Sequence, residues 1–139
     1  MTGAPGAAAL VPLRFSTHNL PPKEQFQSWR SHMAPLVDVH LPDGKSEGDG
    51  FLAEQTGWHL GEILIVQQRA QACSYIRDQA MLRSSPIDHW NVGVMRSGRA
   101  WTEAKRHVTA TPGEVFFRSL GYPYRGRMTD SVAVLVFLP

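Results

Sequence analysis

Short apolar runs, each closed by a glycine or proline turn, are the feature that most restricts the fold of this chain. In the C-terminal half, one run ends at Ser97-Gly98, the next comes before Pro112-Gly113, and a third ends at Gly121-Tyr122-Pro123. Runs this short are typical of strands, and 10 Pro and 12 Gly among 139 residues supply the turns. The hydrophobic content of 42% is enough for one core. The pattern predicts a jelly-roll barrel that is all-β with a minor helical part.

The helical part is one predicted helix near the start of the chain. A pair of prolines before Lys23 is typical of the first turn of a helix. Phe26, Trp29 and Met33 then recur at helical spacing, so one face of the helix is apolar. We expect this N-terminal helix to end before Pro35 and to pack on the barrel.

Residues 1–14 are predicted to form a flexible N-terminal arm, because Gly, Ala and Pro dominate the first dozen positions. Residues 15–139 then form one domain. Cys73 is the only cysteine, and no apolar run approaches the length of a membrane span. We therefore expect a cytoplasmic location and no membrane partner. A net charge of +2 without a cluster of Lys and Arg argues against a DNA-binding surface on this segment.

The segment from Gly113 to Met128 resembles the second sequence motif of cupins, which are small β-barrels. The motif places Gly, Pro, Gly, a metal-binding His and Asn where this chain has Gly113, Ser119, Gly121, Tyr124 and Met128. The glycines are present and the metal ligand is replaced by a phenol. The resemblance implies a cupin-like double-stranded β-helix that holds neither a metal nor another cofactor.

Most of the chain from Phe15 onward resembles the N-terminal sensory domain of AraC-type transcription regulators, of the AraC-binding-like subgroup. Four passages carry the resemblance by their order and spacing, at residues 15–30, 57–70, 88–119 and 132–139. The resemblance implies a domain that binds a small-molecule effector and can form a homodimer. It also implies that DNA is bound only through a C-terminal pair of helix-turn-helix motifs, whose pattern is absent from this chain.

A regulatory domain is expected rather than an enzyme. The six histidines show no metal-ligand spacing, and a phenol at position 124 does not complete a zinc, iron or manganese site. Two alternatives stay open. One is a stand-alone metal-free cupin enzyme of the isomerase or lyase type, and the other is a barrel used only for protein contact. A pocket filled by its own side chains would favour the second.

A ligand site is expected inside the barrel, and the candidate residues are Tyr124, Trp90, Arg118, Phe116, Tyr75, Arg77 and Trp101. Tyr124 occupies a position that the cupin resemblance places inside the barrel, where its hydroxyl would donate a hydrogen bond. Arg118 or Arg77 would hold a carboxylate through two parallel hydrogen bonds. Trp90 and Trp101 would stack on an aromatic ring.

Each candidate also has a purely structural interpretation. Trp90 alternates with Val92 and Val94, which favours an inward-facing core residue and places His89 on the outside. Trp101 can cover an outer face, and both arginines can be solvated at the surface. For Tyr124, packing and ligand contact are equally compatible with the sequence.

Overall fold

The computed structural model describes residues 10–139. Within this range, the chain forms two α-helices, one 3-10 helix at Glu47–Asp49 and eleven strands. The α-helices are α1 (Pro22–Met33) and α2 (Gln79–Ser84). The strands are β1 (Leu13–Ser16), β2 (Asp38–His40), β3 (Ala53–Leu60), β4 (Ile63–Ala70), β5 (Cys73–Arg77), β6 (Trp90–Ser97), β7 (Ala100–Glu103), β8 (His107–Ala110), β9 (Val115–Ser119), β10 (Tyr124–Met128) and β11 (Ser131–Leu138).

The strands form two antiparallel sheets whose inner faces enclose the interior of the molecule. One sheet has the order β1-β3-β4-β11-β6-β9, and the other has the order β2-β5-β10-β7-β8. Strands that are distant in sequence, such as β4 and β11, are neighbours in the sheet, as expected for a jelly roll. The predicted all-β jelly roll with a minor helical part is confirmed. No helix in the described range is long and apolar enough to cross a membrane.

The strand boundaries agree closely with the pattern of apolar runs and turns. β6 ends at Ser97 and β10 begins at Tyr124, at the edges of the predicted turns Ser97-Gly98 and Gly121-Tyr122-Pro123. β1 begins at Leu13, two residues before the predicted start of the domain. Most of the predicted arm, residues 1–9, lies outside the described residues.

Helix α1 packs its apolar face on the open end of the barrel. It starts at Pro22, where proline suits the first helical turn. Phe26 and Trp29 are buried, and their ring centres lie 5.5 and 6.4 Å from that of Phe51. The helix therefore covers one side of the space between the sheets.

Gly93 determines which face of β6 points into the barrel. A Cβ atom at this position would lie 2.5 Å from Cζ of Phe116 and 2.9 Å from Cδ2 of Leu135. These two side chains come from the neighbouring strands β9 and β11. Only a residue without a side chain allows this contact, so Gly93 has to face inward.

The inward position of Gly93 corrects the predicted face of Trp90. Because side chains alternate along a strand, Asn91 and Met95 also face inward, and both are buried. Trp90 faces outward and is 47% exposed. The prediction that Trp90, Val92 and Val94 face the core is wrong, since the contact at Gly93 outweighs the apolar character of that face.

Arg77 is completely buried and bonds four backbone carbonyls. Its Nε donates to Leu120 O at 2.8 Å, and Nη1 donates to Leu36 O at 3.1 Å. Nη2 donates to Ser85 O at 2.6 Å and to Ile87 O at 3.2 Å. These carbonyls lie in three separate connections between elements, so Arg77 joins all three connections through one side chain. The interpretation of Arg77 as a solvated surface residue is wrong.

We expect Arg77→Met to lower the free energy of unfolding by at least about 3 kcal/mol, because several buried carbonyls would lose their donors. The matched control is Arg83→Met on an exposed position of α2, which should change stability by less than about 0.5 kcal/mol. Urea unfolding of the two variants and the wild type measures both values. A loss below about 1 kcal/mol for Arg77→Met would contradict the proposed role of these bonds.

An ion pair between Arg30 and Asp38 joins α1 to β2. Arg30 Nε and Nη2 donate to the two carboxylate oxygens at 2.8 and 3.2 Å, and His40 Nε2 lies 3.0 Å from Oδ2. The hydrogen bonds from Arg30 lower the pKa of Asp38 below its ordinary value of 3.8. A lowered pKa in the folded state means that the stabilisation is present above that ordinary value and is lost as the pH falls through the folded-state pKa.

We therefore expect Asp38→Asn to lower the free energy of unfolding by about 0.5 kcal/mol near neutral pH, since both partners are more than a third exposed. The difference from the wild type should shrink as the pH falls through the lowered pKa of Asp38, because the wild-type carboxylate then also becomes neutral. Denaturant unfolding across this pH range measures the difference. Asp43→Asn, in an exposed loop, is the control. A difference for Asp38→Asn that does not change with pH would exclude the ion pair as its source.

Candidate ligand-binding site

A cavity of about 540 Å³ lies between the two sheets. Its volume is within the range of small-molecule sites in proteins. The space exists because several inward positions carry small side chains, among them Ala70, Ala100 and Ala133. Most of the remaining wall is aliphatic or aromatic.

The cavity opens beside β1, α1 and the β3–β4 turn. The exposed residues Arg14, His59 and Glu62 belong to its wall. Phe15 of β1 stacks on His32 of α1 in the same region, with ring centres 3.8 Å apart and planes 7° from parallel. The edge of the opening is therefore built from the two most N-terminal elements of the described chain.

A polar cluster lies on the wall formed by β5, β7, β9 and β10. The guanidinium carbon of Arg118 lies 4.8 Å from the ring centre of Tyr124, 5.4 Å from that of Phe116 and 5.8 Å from that of Tyr75. Arg118 Nη1 donates a hydrogen bond of 3.4 Å to Thr102 Oγ1, which also shares a hydrogen bond of 2.7 Å with the Tyr75 hydroxyl. We call these five residues the Arg118 cluster.

Two further polar atoms in this cavity wall have no partner among residues 10–139. They are Oδ1 of Asn91 and Nδ1 of His89, and both atoms are buried. Asn91 lies directly opposite Arg118 in the register of β6 and β9. Buried polar atoms in proteins are nearly always hydrogen-bonded, so these two indicate where a polar group of a ligand or a water molecule would bind.

Burial controls the ionisation of two groups in the wall. It raises the pKa of Tyr124, and the positive charge of Arg118 only partly opposes this effect, so the phenol is a hydrogen-bond donor near neutral pH. Burial also raises the pKa of Cys73 to about 12, so this residue is a neutral thiol. Within residues 10–139, no three His, Cys, Asp or Glu side chains lie close enough together to hold a metal ion.

Four of the predicted site residues lie in the cavity wall, and they are Tyr75, Phe116, Arg118 and Tyr124. They come from three different strands, and the structure brings them together around the guanidinium group of Arg118. The interpretation of Arg118 as a solvated surface residue does not agree with its position among three aromatic rings. Contact of these four residues with a ligand stays a prediction.

The other three predicted residues are not part of the wall. Trp90 lies on the outer face of its sheet, and four of the five N–H donors of Arg77 are occupied by backbone carbonyls. Trp101 lies on the outside of the second sheet, where the guanidinium group of Arg127 lies 4.4 Å from its ring centre. The interpretation of Trp101 as a cover for an outer face agrees with this position.

Sequence reasoning missed Asn91 and His89 as cavity residues. The prediction that Trp90 faces the core implies that His89 and Asn91 face outward. This expectation is wrong, because both residues belong to the cavity wall. Gly93 is the signal that would have reversed the assignment. A glycine in the middle of a strand indicates a close contact on its side of the sheet.

The solved structure of the AraC-like transcriptional activator CuxR is 71% identical to this chain, with a TM-score of 0.85, and the match covers 91% of this chain and 47% of CuxR. The chain therefore spans about half the length of that relative. A protein of unknown function from Rhizobium leguminosarum bv. viciae 3841 is 22% identical, with a TM-score of 0.50 over 63% of this chain and 81% of that one. An RmlC-like cupin protein from Desulfovibrio desulfuricans is 18% identical, with a TM-score of 0.46 over 64% of this chain and 82% of that one.

No protein-family model matches the chain, and no curated protein matches it. The identity to CuxR is high over nine tenths of the chain, so the relationship extends beyond the fold. It confirms the family resemblance predicted from the order and spacing of the four passages. The chain is a jelly-roll domain related to the AraC-like transcription regulators.

Proposed function

We propose that this chain is the effector-sensing domain of an AraC-type transcription regulator. A small molecule binds in the interior cavity and controls DNA binding by a domain outside this chain. The observation that carries this proposal is the cavity of about 540 Å³, with its polar cluster, in a chain that is 71% identical to part of a transcriptional activator. The protein would act in the cytoplasm, where it has access to DNA.

The position of the opening suggests how binding changes the domain. The C-terminal end of β1 is fixed by the buried residue Thr17, whose Oγ1 donates to Phe51 O at 2.6 Å and accepts from Ala53 N at 3.0 Å. The start of β1 lacks this support, and Leu13 there is 57% exposed and belongs to the cavity wall. A ligand that fills the cavity would contact this segment and favour one arrangement of the N-terminal region over others.

A protein contact on the outer surface is a second candidate function. Val115 and Phe117 on β9 are each 67% exposed, and the ring centre of Phe117 lies 6.0 Å from that of exposed Trp90. Exposed apolar patches of this kind mark interaction surfaces. The contact is compatible with the proposed homodimer and does not compete for the interior cavity.

The cavity is tested by comparing Ala133→Leu with Val134→Leu on the same strand. Ala133 faces the cavity, whereas Val134 follows it and faces the outer side of the sheet. The wild type is screened by thermal unfolding with small carboxylates, amides and sugars. A compound present at 100 times its dissociation constant adds about 2.7 kcal/mol to stability, which raises the unfolding temperature by several degrees.

We expect Ala133→Leu to abolish this response and Val134→Leu to keep it, because only the first substitution occupies space in the cavity. The response of each variant is measured against its own unfolding temperature without compound. An unchanged response in Ala133→Leu would show that the compound binds elsewhere. If no compound stabilises the wild type, the protein-contact function is favoured.

A further inference from the structure

We propose that the cavity takes an amphipathic monocarboxylate, whose carboxylate is bound by Arg118 and whose apolar body fills the space between the sheets. This inference rests on the proposed function, in which the cavity is the effector site. It adds the chemical class of the effector and the residue that recognises it.

Arg118 is the first reason, because its charge has no acidic partner in the barrel. It lies in the cavity wall and is surrounded by three aromatic rings at 4.8 to 5.8 Å. Among residues 10–139, no carboxylate lies within 4.0 Å of it, and its one side-chain hydrogen bond, to Thr102, is long at 3.4 Å. A partly buried cation is costly unless an anion or several acceptors pair with it.

Arg77 provides an internal comparison for this argument. It is buried next to the same cluster, since it lies opposite Tyr124 in the register of β5 and β10. Four carbonyl oxygens accept hydrogen bonds from Arg77, so four of its five N–H donors are occupied. The donors of Arg118 lack such a set of acceptors. The same fold therefore uses one inward arginine for its own backbone and leaves the other for a ligand.

Asn91 is the second, independent reason. Only 5% of this residue is exposed, its Oδ1 has no partner, and it lies opposite Arg118 on the neighbouring strand. Because the two ends of an amide differ little in shape, the group can turn and present its N–H donors to an anion. Asn91 and the Tyr124 hydroxyl add hydrogen-bonding groups to the cavity wall that also holds Arg118. Such a set suits the two oxygens of a carboxylate.

The rest of the wall determines the other end of the ligand. It consists mainly of aliphatic and aromatic side chains, among them Leu64, Val66 and Leu135. The hydroxyl groups of a sugar would lose their hydrogen bonds to water against such a wall, at a cost for each group. A single free guanidinium also matches one negative charge better than the double charge of a phosphate monoester. An apolar molecule with one carboxylate satisfies both conditions.

The test uses three probes with the same apolar chain, namely octanoate, octanamide and octyl phosphate. Calorimetric titration measures their dissociation constants with the wild type. We expect octanoate to bind at least about tenfold more tightly than octanamide, since a charge-assisted hydrogen bond contributes about 1.5 kcal/mol or more. Octyl phosphate should bind less tightly than octanoate.

Arg118→Met should reduce the preference for octanoate over octanamide to about one, with octanamide binding retained. Retained octanamide binding also shows that the variant is folded and that its cavity is intact. The matched control is Arg96→Met, which removes an exposed arginine outside the cavity wall, and it should keep the preference. Arg14→Met, which removes the arginine at the opening, tests whether the anion binds there instead. Arg118→Lys, which keeps the charge and loses the planar donor pair, should show an intermediate preference and serves if Arg118→Met does not fold.

The possible failures of this inference and of the proposed function are distinct. Equal binding of octanoate and octanamide to the wild type would overturn the proposal that Arg118 recognises a carboxylate. A preference for octanoate that survives Arg118→Met would also overturn it. Both results would leave the proposal of the cavity as the effector site intact. Tighter binding of octyl phosphate than of octanoate would indicate that the anionic group of the effector is a phosphate and not a carboxylate. Loss of the preference in Arg14→Met alone would move the anion to the opening. Octanoate binding that survives Ala133→Leu would overturn the effector site itself.

Discussion

The close contact of β6, β9 and β11 at Gly93 is the constraint on which the candidate site depends. Phe116 and Leu135 occupy the space that a side chain at Gly93 would need, so the inner face of all three strands is fixed. Asn91 and Arg118, which pair across β6 and β9, are thereby directed to the same side of the sheet. A shift of β6 by one residue in this register would turn Asn91 outward and bring the outer apolar residues of β6 into the barrel.

The two inward arginines of this barrel differ in how their hydrogen-bond donors are used. Arg77 bonds to carbonyls of three connections between elements and stabilises the arrangement of the chain around α1 and α2. Arg118 is held mainly by the faces of Tyr75, Phe116 and Tyr124, and aromatic faces attract a cation without occupying its hydrogen-bond donors. Its donors are therefore available to an anion in a site where electrostatic attraction is stronger than in water.

The strands could be predicted from the sequence because their signals are local. Glycine and proline turns mark the end of β6 and the start of β10 without knowledge of the tertiary structure. The face of β6 could not be assigned in the same way, since Trp90 and Met95 make both faces look apolar. Its direction depends on Phe116, a residue of a later strand. The role of Arg77 was equally inaccessible, because its acceptors lie in three distant segments. Tyr124 was found through the cupin motif rather than through its own pattern.

The methionines offer the most direct test of the interior cavity as the effector site. Met95 and Met128 belong to the cavity wall, whereas Met81 lies on α2 outside it. The methyl signals of methyl-labelled methionine can be followed by NMR while octanoate is added. The account predicts that the signals of Met95 and Met128 shift with saturation and that the signal of Met81 does not. A saturating shift of Met81 without any change at Met95 and Met128 would contradict it, because the molecule would then bind on the outside of the barrel.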